Sequence, residues 1–214
     1  MLVTGASGVL GRALLPLLEA AGHAVHAPAR HELDLFDVRA VGEAVADADA
    51  VYPLATRIPP PALQYDRETW RENDRLRAEA SQLLVDASLA AKTTVYVQPT
   101  VAFVYPAAGE VDEETPLRQV PSHLESALAA EGEAARFAAS GRRGVVLRLG
   151  LLDGPGTGNE EPNAWFGATL HVQDAGSALL AALEAASGVY NVVRDGERVC
   201  NARFKRATGW QPQH

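Results

Sequence analysis

Hydrophobic positions along this chain form short apolar runs that alternate with longer segments of helical periodicity. In the longer segments, apolar residues recur every three or four positions, as they do on one face of a helix. The predicted strands are 2–4, 24–28, 50–54, 94–98, 145–149 and 188–193, and the predicted helices are 8–21, 37–46, 68–91, 123–139 and 172–186. A repeated order of strand then helix predicts a parallel sheet that helices cover on both faces.

Three irregular segments follow predicted strands and are rich in proline, glycine or acidic residues: 56–65, 105–121 and 151–170. In open α/β sheets, ligands bind at the carboxyl ends of the strands, where such loops converge. We therefore expect a binding site at that edge of the sheet. Segment 151–170 is short, and its Trp165 and Phe166 either line an open pocket or pack the segment against the sheet.

The charge balance is acidic, with 19 Lys and Arg against 27 Asp and Glu and a net charge of −8. A broad basic surface for nucleic acid is therefore not expected. The basic residues Arg67, Arg71, Arg75 and Arg77 alternate with acidic ones along helix 68–91. This alternation predicts a solvated face with ion pairs one turn apart.

Other features of the composition indicate the compartment and argue against a metal site. Cys200 is the only cysteine, so no internal disulfide is expected, and a reducing, cytoplasmic location is the simplest interpretation. No run reaches 18 apolar residues and the chain starts directly with a strand, so neither a membrane span nor a leader is expected. His23, His26 and His31 have no partner at metal-ligand spacing, so no metal is predicted.

The stretch Thr4-Gly-Ala-Ser-Gly-Val-Leu-Gly-Arg12 lies between the first predicted strand and the first predicted helix. In this context Gly5 permits a tight turn, Gly8 lets the backbone approach a diphosphate, and Gly11 lets helix and strand pack closely. The diphosphate would rest on free amides at the positive end of the helix. The dinucleotide-binding residues predicted here are Gly5, Ser7, Gly8, Val9, Leu10 and Gly11; an ordinary glycine-rich turn is the alternative.

This Thr-Gly-x-x-Gly-x-x-Gly spacing resembles the extended short-chain dehydrogenase/reductase family, also called the NAD-dependent epimerase/dehydratase family. Later segments agree in order and spacing: Asp34-Leu35, Leu54-Ala55-Thr56, Leu-Arg-Leu-Gly at 147–150, Gly-Pro-Gly at 154–156, His-Val-Gln-Asp at 171–174, Tyr-Asn-Val at 190–192 and the tail 204–210. The resemblance implies one NAD(P)-binding domain over residues 1–214, with a Rossmann-type doubly wound parallel sheet. It also implies a reduced C-terminal substrate lobe, formed mainly by 151–171 and 194–214.

The same resemblance implies further cofactor contacts. Asp34 and Leu35 would touch the adenine, and the segment Leu54, Ala55 and Thr56 would flank the ribose or the diphosphate. At the end of the second strand, where an acid favours NAD, the chain has Ala29 and Arg30, and a guanidinium suits a 2′-phosphate. NADP is therefore the predicted cofactor. NAD stays open, because Glu32 is near and Arg30 is alternatively an ordinary surface residue.

Redox members of the family carry a Ser or Thr after the fifth strand, followed by a tyrosine and, four residues later, a lysine at a helix start. Here Thr100 keeps the hydroxyl position. Ser122 and Glu125 are expected to form a capping box that fixes the register of the helix. In that register the tyrosine position holds His123 and the lysine position holds Ala127, so both proton-handling residues are replaced.

Two explanations of this replacement remain open. His123 either exchanges the proton, since imidazole titrates near pH 6.5 unaided, or the site has decayed. The predicted function is an atypical oxidoreductase or epimerase/dehydratase-like enzyme that acts on a small carbonyl or hydroxyl substrate. The alternatives are a catalytically silent NADP(H)-binding sensor or scaffold, and a non-redox isomerase or dehydratase. By resemblance, helices 68–91 and 123–139 would pair in a homodimer.

Overall fold

A parallel sheet of five strands forms the centre of the computed structural model, which describes residues 1–64, 66–106, 108–163 and 167–214. The sheet order is β1-β2-β3-β4-β7, where these strands are Leu2–Thr4, Ala50–Pro53, Val95–Val101, Arg143–Leu149 and Gly188–Val192. Two short strands, β5 (Leu151–Asp153) and β6 (Thr169–His171), pair with each other in a separate parallel sheet. The predicted α/β class with a Rossmann-type parallel sheet is confirmed.

Helices cover both faces of the large sheet. They are α1 (Val9–Ala20), α2 (Val38–Val45), α3 (Arg71–Arg75), α4 (Ser81–Ala90), α5 (Glu125–Ala139), α6 (Val172–Ala181) and α7 (Ala202–Thr208). Successive strand residues point to opposite faces, so Val3 packs in one core cluster with α1 and α6, while Leu2 packs in the other with α2, α4 and α5. Burial on both faces explains why the strands are mostly apolar.

The second predicted strand, 24–28, is reduced to one parallel bridge between His26 and Leu2. The amide of Val3 donates to the His26 carbonyl at 2.9 Å, and the His26 amide donates to the Met1 carbonyl at 2.8 Å. Pro28, which has no amide hydrogen, cannot continue such a ladder. The sheet therefore ends at its β1 side in a single bridge rather than in a full strand.

The long helix predicted at 68–91 is composite. It begins with the 3-10 turn Arg67–Trp70, continues through α3, widens into the π-helical turn Leu76–Ala80 and then becomes α4. Turns of this kind occur mostly as single insertions in α-helices, often at functional sites. The wide turn positions Leu76 and Arg77 beside a cavity at the edge of the sheet.

Candidate cofactor and substrate site

A cavity of about 970 Å³ lies where the carboxyl ends of β1, β2 and β3 meet. Its lining combines the turn Gly8–Leu10, the end of β2 with the following residues 53–60, the end of β3 at 98–101, and the side chains Leu76, Arg77 and Ser81; residues 149–152 and 157–159 add a further wall. This is the edge at which open α/β sheets bind ligands, and the volume suits a small-molecule site.

The glycine turn at the β1 end of the cavity is held by close backbone packing. Gly5 has φ +67°, and a Cβ atom there would lie 2.5 Å from the amide nitrogen of Ala55. A Cβ atom on Gly11 would collide with the carbonyl group of Ala6. On Gly8, a Cβ atom would meet only the Gly5 carbonyl oxygen, at 3.1 Å. Gly5 and Gly11 therefore shape the turn, whereas Gly8 leaves open space beside the backbone.

The start of α1 supplies donors to that open space. The first amides of a helix have no partner within the helix, and they form its positive end. In this fully described stretch no side chain caps α1, whose N-cap residue is Gly8. Ser7 supports the turn through its carbonyl oxygen, which accepts from Arg12 Nη1 at 2.7 Å. The backbone around Gly8 thus fits a bound diphosphate.

The predicted cofactor residues divide into those that line the cavity and those that do not. Gly8, Val9, Leu10, Leu54, Ala55 and Thr56 line it. Gly5, Ser7 and Gly11 stabilise the turn behind it. Arg30, Asp34 and Leu35 are not among the described residues that line the cavity.

The residues predicted to contact the adenine end of the cofactor have local partners of their own. Arg30 is largely exposed, and its Nη2 atom lies 2.6 Å from Glu72 Oε1, on a side chain that lines the cavity. Asp34 Oδ1 accepts from the amide of Phe36 at 2.9 Å. The Glu32 carboxylate folds back to accept from the amide of Ala29 at 2.7 Å. At this part of the site the Arg30 guanidinium is exposed, whereas the Glu32 carboxylate is bound to the Ala29 amide.

At the β3 end, Thr100 lines the cavity and belongs to a buried polar network. Its hydroxyl donates to Glu131 Oε1 at 2.8 Å, and Arg148 holds both Glu131 oxygens, with Nε 3.0 Å from Oε1 and Nη2 2.6 Å from Oε2. Arg148 Nη1 donates to the Tyr105 hydroxyl at 2.8 Å, which in turn donates to Asn191 at 2.9 Å. Because Arg148 also binds Oε1, the Thr100 hydroxyl can turn towards a ligand without leaving that oxygen unpaired.

His123 lies in the 3-10 turn Ser122–Leu124 that precedes α5. Its ring packs on Trp70 with 4.9 Å between ring centroids. Burial lowers the pKa of His123, and the charges of Arg67 and Arg77 lower it further, whereas Asp74 opposes this shift. The described lining of the cavity includes Thr100 but not His123, so the two predicted catalytic residues do not share that wall.

The expected capping box does not form. Helix α5 begins at Glu125 with Leu124 as its N-cap residue, and no side chain caps that described start or the 3-10 turn before it. The 3-10 turn takes up the Ser122 backbone, so its hydroxyl does not reach the helix amides. The register that aligns His123 with the tyrosine therefore depends on the family resemblance alone, in which Ser126 matches a serine of the family's helix and Glu131 matches a downstream acid.

Comparison with known proteins shows to which family this chain belongs. The family model described as "NAD dependent epimerase/dehydratase family" matches residues 1–170. The chain belongs to this family. A curated relative from a Streptomyces species, named 3-diazoavenalumate denitrifying reductase, is 32% identical over 236 aligned residues, which span 91% of this chain and 76% of the relative.

Solved structures agree with the fold of this family member. MoeE5 in complex with UDP-glucuronic acid and NAD is similar with a TM-score of 0.82 and 21% identity, over 100% of this chain and 93% of that chain. RMD from Pseudomonas aeruginosa, complexed with NADPH, has a TM-score of 0.77 and 23% identity, over 99% of this chain and 93% of that chain. At these identities the likeness shows the Rossmann-type fold; the two neighbours bind NAD and NADPH respectively.

Two features of the site were missed or misread in the sequence of this family member. Arg77, expected on a solvated face, is only 8% exposed and lines the cavity, while Arg75 forms the expected ion pair with Glu79 at 3.1 Å. The ion pair between Glu131 and Arg148 was not predicted. A signal for it was present, because a charged residue within an apolar strand needs a buried partner.

Several remaining expectations concern other parts of the chain. None of the described helices is both long enough and apolar enough to cross a bilayer. Among the described residues, no three His, Cys, Asp or Glu side chains cluster as metal ligands. Cys200 is exposed. Trp165 and Phe166 lie outside the described residues, so their predicted contribution to a pocket wall is not addressed.

Proposed function

We propose that residues 1–214 form one NAD(P)-binding domain that acts as a nicotinamide-dependent reductase on a small substrate, with 151–171 and 194–214 as a reduced substrate lobe. One observation carries the proposal: a single cavity joins the open backbone at Gly8 to the hydroxyl of Thr100. The bound cofactor would supply hydride transfer. Val9, Leu10, Leu54, Ala55 and Thr56 would hold its diphosphate and ribose.

The proposed cofactor is NADP, with NAD as the alternative. Arg30 presents a guanidinium at the rim, and Glu72 keeps it there through an exposed ion pair that a 2′-phosphate can replace. The carboxylate of Glu32, which is the nearest acid along the chain, is engaged by the Ala29 amide. Asp34 and Leu35 stay the proposed adenine contacts.

In the proposed mechanism, Thr100 orients the substrate oxygen by turning its hydroxyl from Glu131 to the ligand. The ionisable side chains of the described cavity lining are Arg57, Glu72 and Arg77, and no His, Cys, Lys or Tyr side chain is among them. A carbonyl oxygen would therefore take its proton from water in the cavity. For the reverse, alcohol-oxidising direction His123 stays the proposed proton acceptor, because burial and the neighbouring arginines favour its neutral form by lowering its pKa.

A diazo compound is a second candidate substrate class. The Streptomyces relative carries the name of a reductase for such a compound. An aryl diazonium group can accept hydride at its terminal nitrogen, and the resulting diazene loses N2 to leave a C–H bond, so no proton goes to oxygen. This suits a cavity whose described lining contains no His, Cys, Lys or Tyr side chain. The homodimer through helices 68–91 and 123–139 is a separate proposal.

The test is oxidation of NADPH in the presence of a panel of small aldehydes, ketones and aryl diazo compounds. Gly8→Ala should weaken NADPH binding about tenfold, which corresponds to about 1.4 kcal/mol, because the added methyl occupies the open space beside the turn. Thr100→Val should lower kcat on a carbonyl substrate and leave NADPH affinity unchanged. Gly42→Ala, in α2 and with open space around it, is the matched control for the glycine change.

Three results would redirect the proposal. Tight NADPH binding without oxidation by any substrate would favour the silent sensor or scaffold. Failure to bind any nicotinamide nucleotide would favour non-redox chemistry. Normal carbonyl turnover in Thr100→Val would remove Thr100 from the mechanism.

A further inference from the structure

Arg77 is a buried cation that lacks a counter-charge in direct contact. Its side chain is 8% exposed, and in the described parts of the chain its Nη1 atom has no hydrogen-bond partner. A buried charge is strongly unfavourable unless it is paired and hydrogen-bonded. Burial lowers the pKa of Arg77, and Asp74 opposes that shift; its Oδ2 binds Arg67, its buried Oδ1 has no hydrogen-bond partner, and no ion pair joins it to Arg77 among the described residues. Such an unpaired donor in a cavity wall indicates a missing anion.

The other arginines of this segment show that Arg77 is an exception. Arg67, Arg71 and Arg75 each pair with an acid, namely Asp74, Glu68 and Glu79. All three are far more exposed than Arg77. The segment therefore has enough acids for its exposed cations, and the one cation directed into the cavity is left without one.

The position of Arg77 separates it from the predicted diphosphate site. Ser81 follows one turn later on the same face of the helix, and its Oγ lies 3.3 Å from Gln98 Oε1 on β3. The glycine turn belongs to β1, and β2 lies between these strands. Two strand spacings amount to roughly 10 Å. Arg77 thus stands at the Thr100 end of the cavity, where a substrate would lie.

Part of the cavity lining is apolar. Ile58 and Leu63 belong to this part and are 51% and 49% exposed, which makes them two of the most exposed large hydrophobic residues of the described chain. Pro59 and Pro60 continue the same lining. A ligand with an apolar body and an anionic end would cover this surface and also supply a partner for Arg77.

We propose that Arg77 binds the carboxylate of a substrate with an apolar body and so determines the specificity of the cavity. This inference rests on the proposed function, because it names the substrate class of the same site. A guanidinium binds a carboxylate with two parallel hydrogen bonds, which would satisfy the Nη1 atom that now has no partner. The apolar lining around Ile58 and Leu63 would contact the apolar body of the substrate.

The experiment compares benzoate with its uncharged analogue benzamide by calorimetry, with NADPH-saturated and with cofactor-free protein. The native chain should bind benzoate more tightly than benzamide. Arg77→Gln should weaken benzoate roughly 10- to 100-fold, the usual effect of a lost hydrogen bond to a charged group, and leave benzamide and NADPH unchanged. Arg71→Gln, which alters an exposed arginine of the same segment, should change none of these affinities.

A second variant separates binding from structural support. Arg77→Met removes a buried charge and keeps the aliphatic stem, so the ligand-free protein should melt at the same or a higher temperature. A clearly lower melting temperature would overturn the inference, because it would make Arg77 a structural cation.

Other results would overturn the inference as well. These are equal binding of benzoate and benzamide by the native chain, absence of benzoate binding in the millimolar range, or a charge preference that survives Arg77→Gln. A loss of NADPH affinity in Arg77→Gln would assign the cation to a cofactor phosphate and also overturn it. If no substrate is reduced but benzoate binding still depends on Arg77, the reductase proposal fails and the anion site stands.

Discussion

Backbone atoms shape one end of the cavity, whereas side chains shape the other. At the β1 end the backbone makes the site: Gly5 and Gly11 fit where no Cβ atom can, and Gly8 leaves open space. At the β3 end side chains make it: Thr100 is held by Glu131, which Arg148 binds in turn. The first end is encoded within a few consecutive residues. The second depends on partners that are distant in sequence, so it can change while the first stays the same.

Removing the acid of the β3-end network should have the largest effect on stability. Glu131→Leu leaves the buried Arg148 without its partner, which should lower the free energy of unfolding by roughly 3–5 kcal/mol. The double variant Glu131→Leu/Arg148→Met removes both charges and should be markedly less destabilised. Denaturant unfolding of the three proteins measures this difference. A double variant as unstable as the single one would show that the network is not held by charge pairing.

Gly5→Ala should disrupt the glycine turn at the β1 end of the cavity. The left-handed backbone at φ +67° and the 2.5 Å approach to Ala55 both oppose a methyl group. The expected loss is roughly 2–4 kcal/mol in the free energy of unfolding, together with loss of NADPH binding. Gly42→Ala is the control, because a helical glycine with open space should gain about 0.5–1 kcal/mol from the same change. Equal effects at both positions would contradict the role given to the turn.

A smaller effect is expected at the rim of the β1 end. Arg30→Ala should weaken NADPH about fivefold, or about 1 kcal/mol for an exposed charge pair, and leave NADH affinity unchanged. Arg39→Ala, which removes an exposed arginine paired with Glu43 on α2, is the matched control. Calorimetric titration of both nucleotides measures the ratio. An equal loss for NADPH and NADH would remove Arg30 from the selection of the 2′-phosphate.

The same contrast explains what the sequence could and could not predict. The order of strands and helices and the glycine turn follow from local patterns, and the structure agrees with them. The predicted strand 24–28 is reduced to one bridge because it is a short edge segment that ends at Pro28 and can form few backbone hydrogen bonds with β1. The capping box failed because a 3-10 turn takes up the backbone before Glu125.

The β3 end of the cavity was predicted less well because its structure depends on tertiary contacts. Nothing adjacent to Thr100 in the sequence shows that its hydroxyl would bond to Glu131. The spacing of Arg77 from neighbouring acids suggested a solvated ion pair, but the π-helical turn changes which side chains face inward. A pattern that assumes regular α-helix cannot anticipate that rotation.

The smallest predicted effect concerns His123, and the prediction gives the direction in which stability changes with pH. Because the folded state lowers the pKa of His123 below its usual value near 6.5, the unfolded chain binds more protons between those two values. Stability from this group is therefore complete above about pH 6.5 and is lost as the pH falls towards the lower, folded pKa. His123→Gln removes the titration, so the native chain should lose more stability than the variant between pH 7.5 and 5.5. His123→Phe, which keeps a ring against Trp70, should behave like the Gln variant in slope. Parallel stability curves for native and variant proteins would show that neither burial nor the neighbouring arginines lower the pKa of His123, and would reopen the view of His123 as a proton donor.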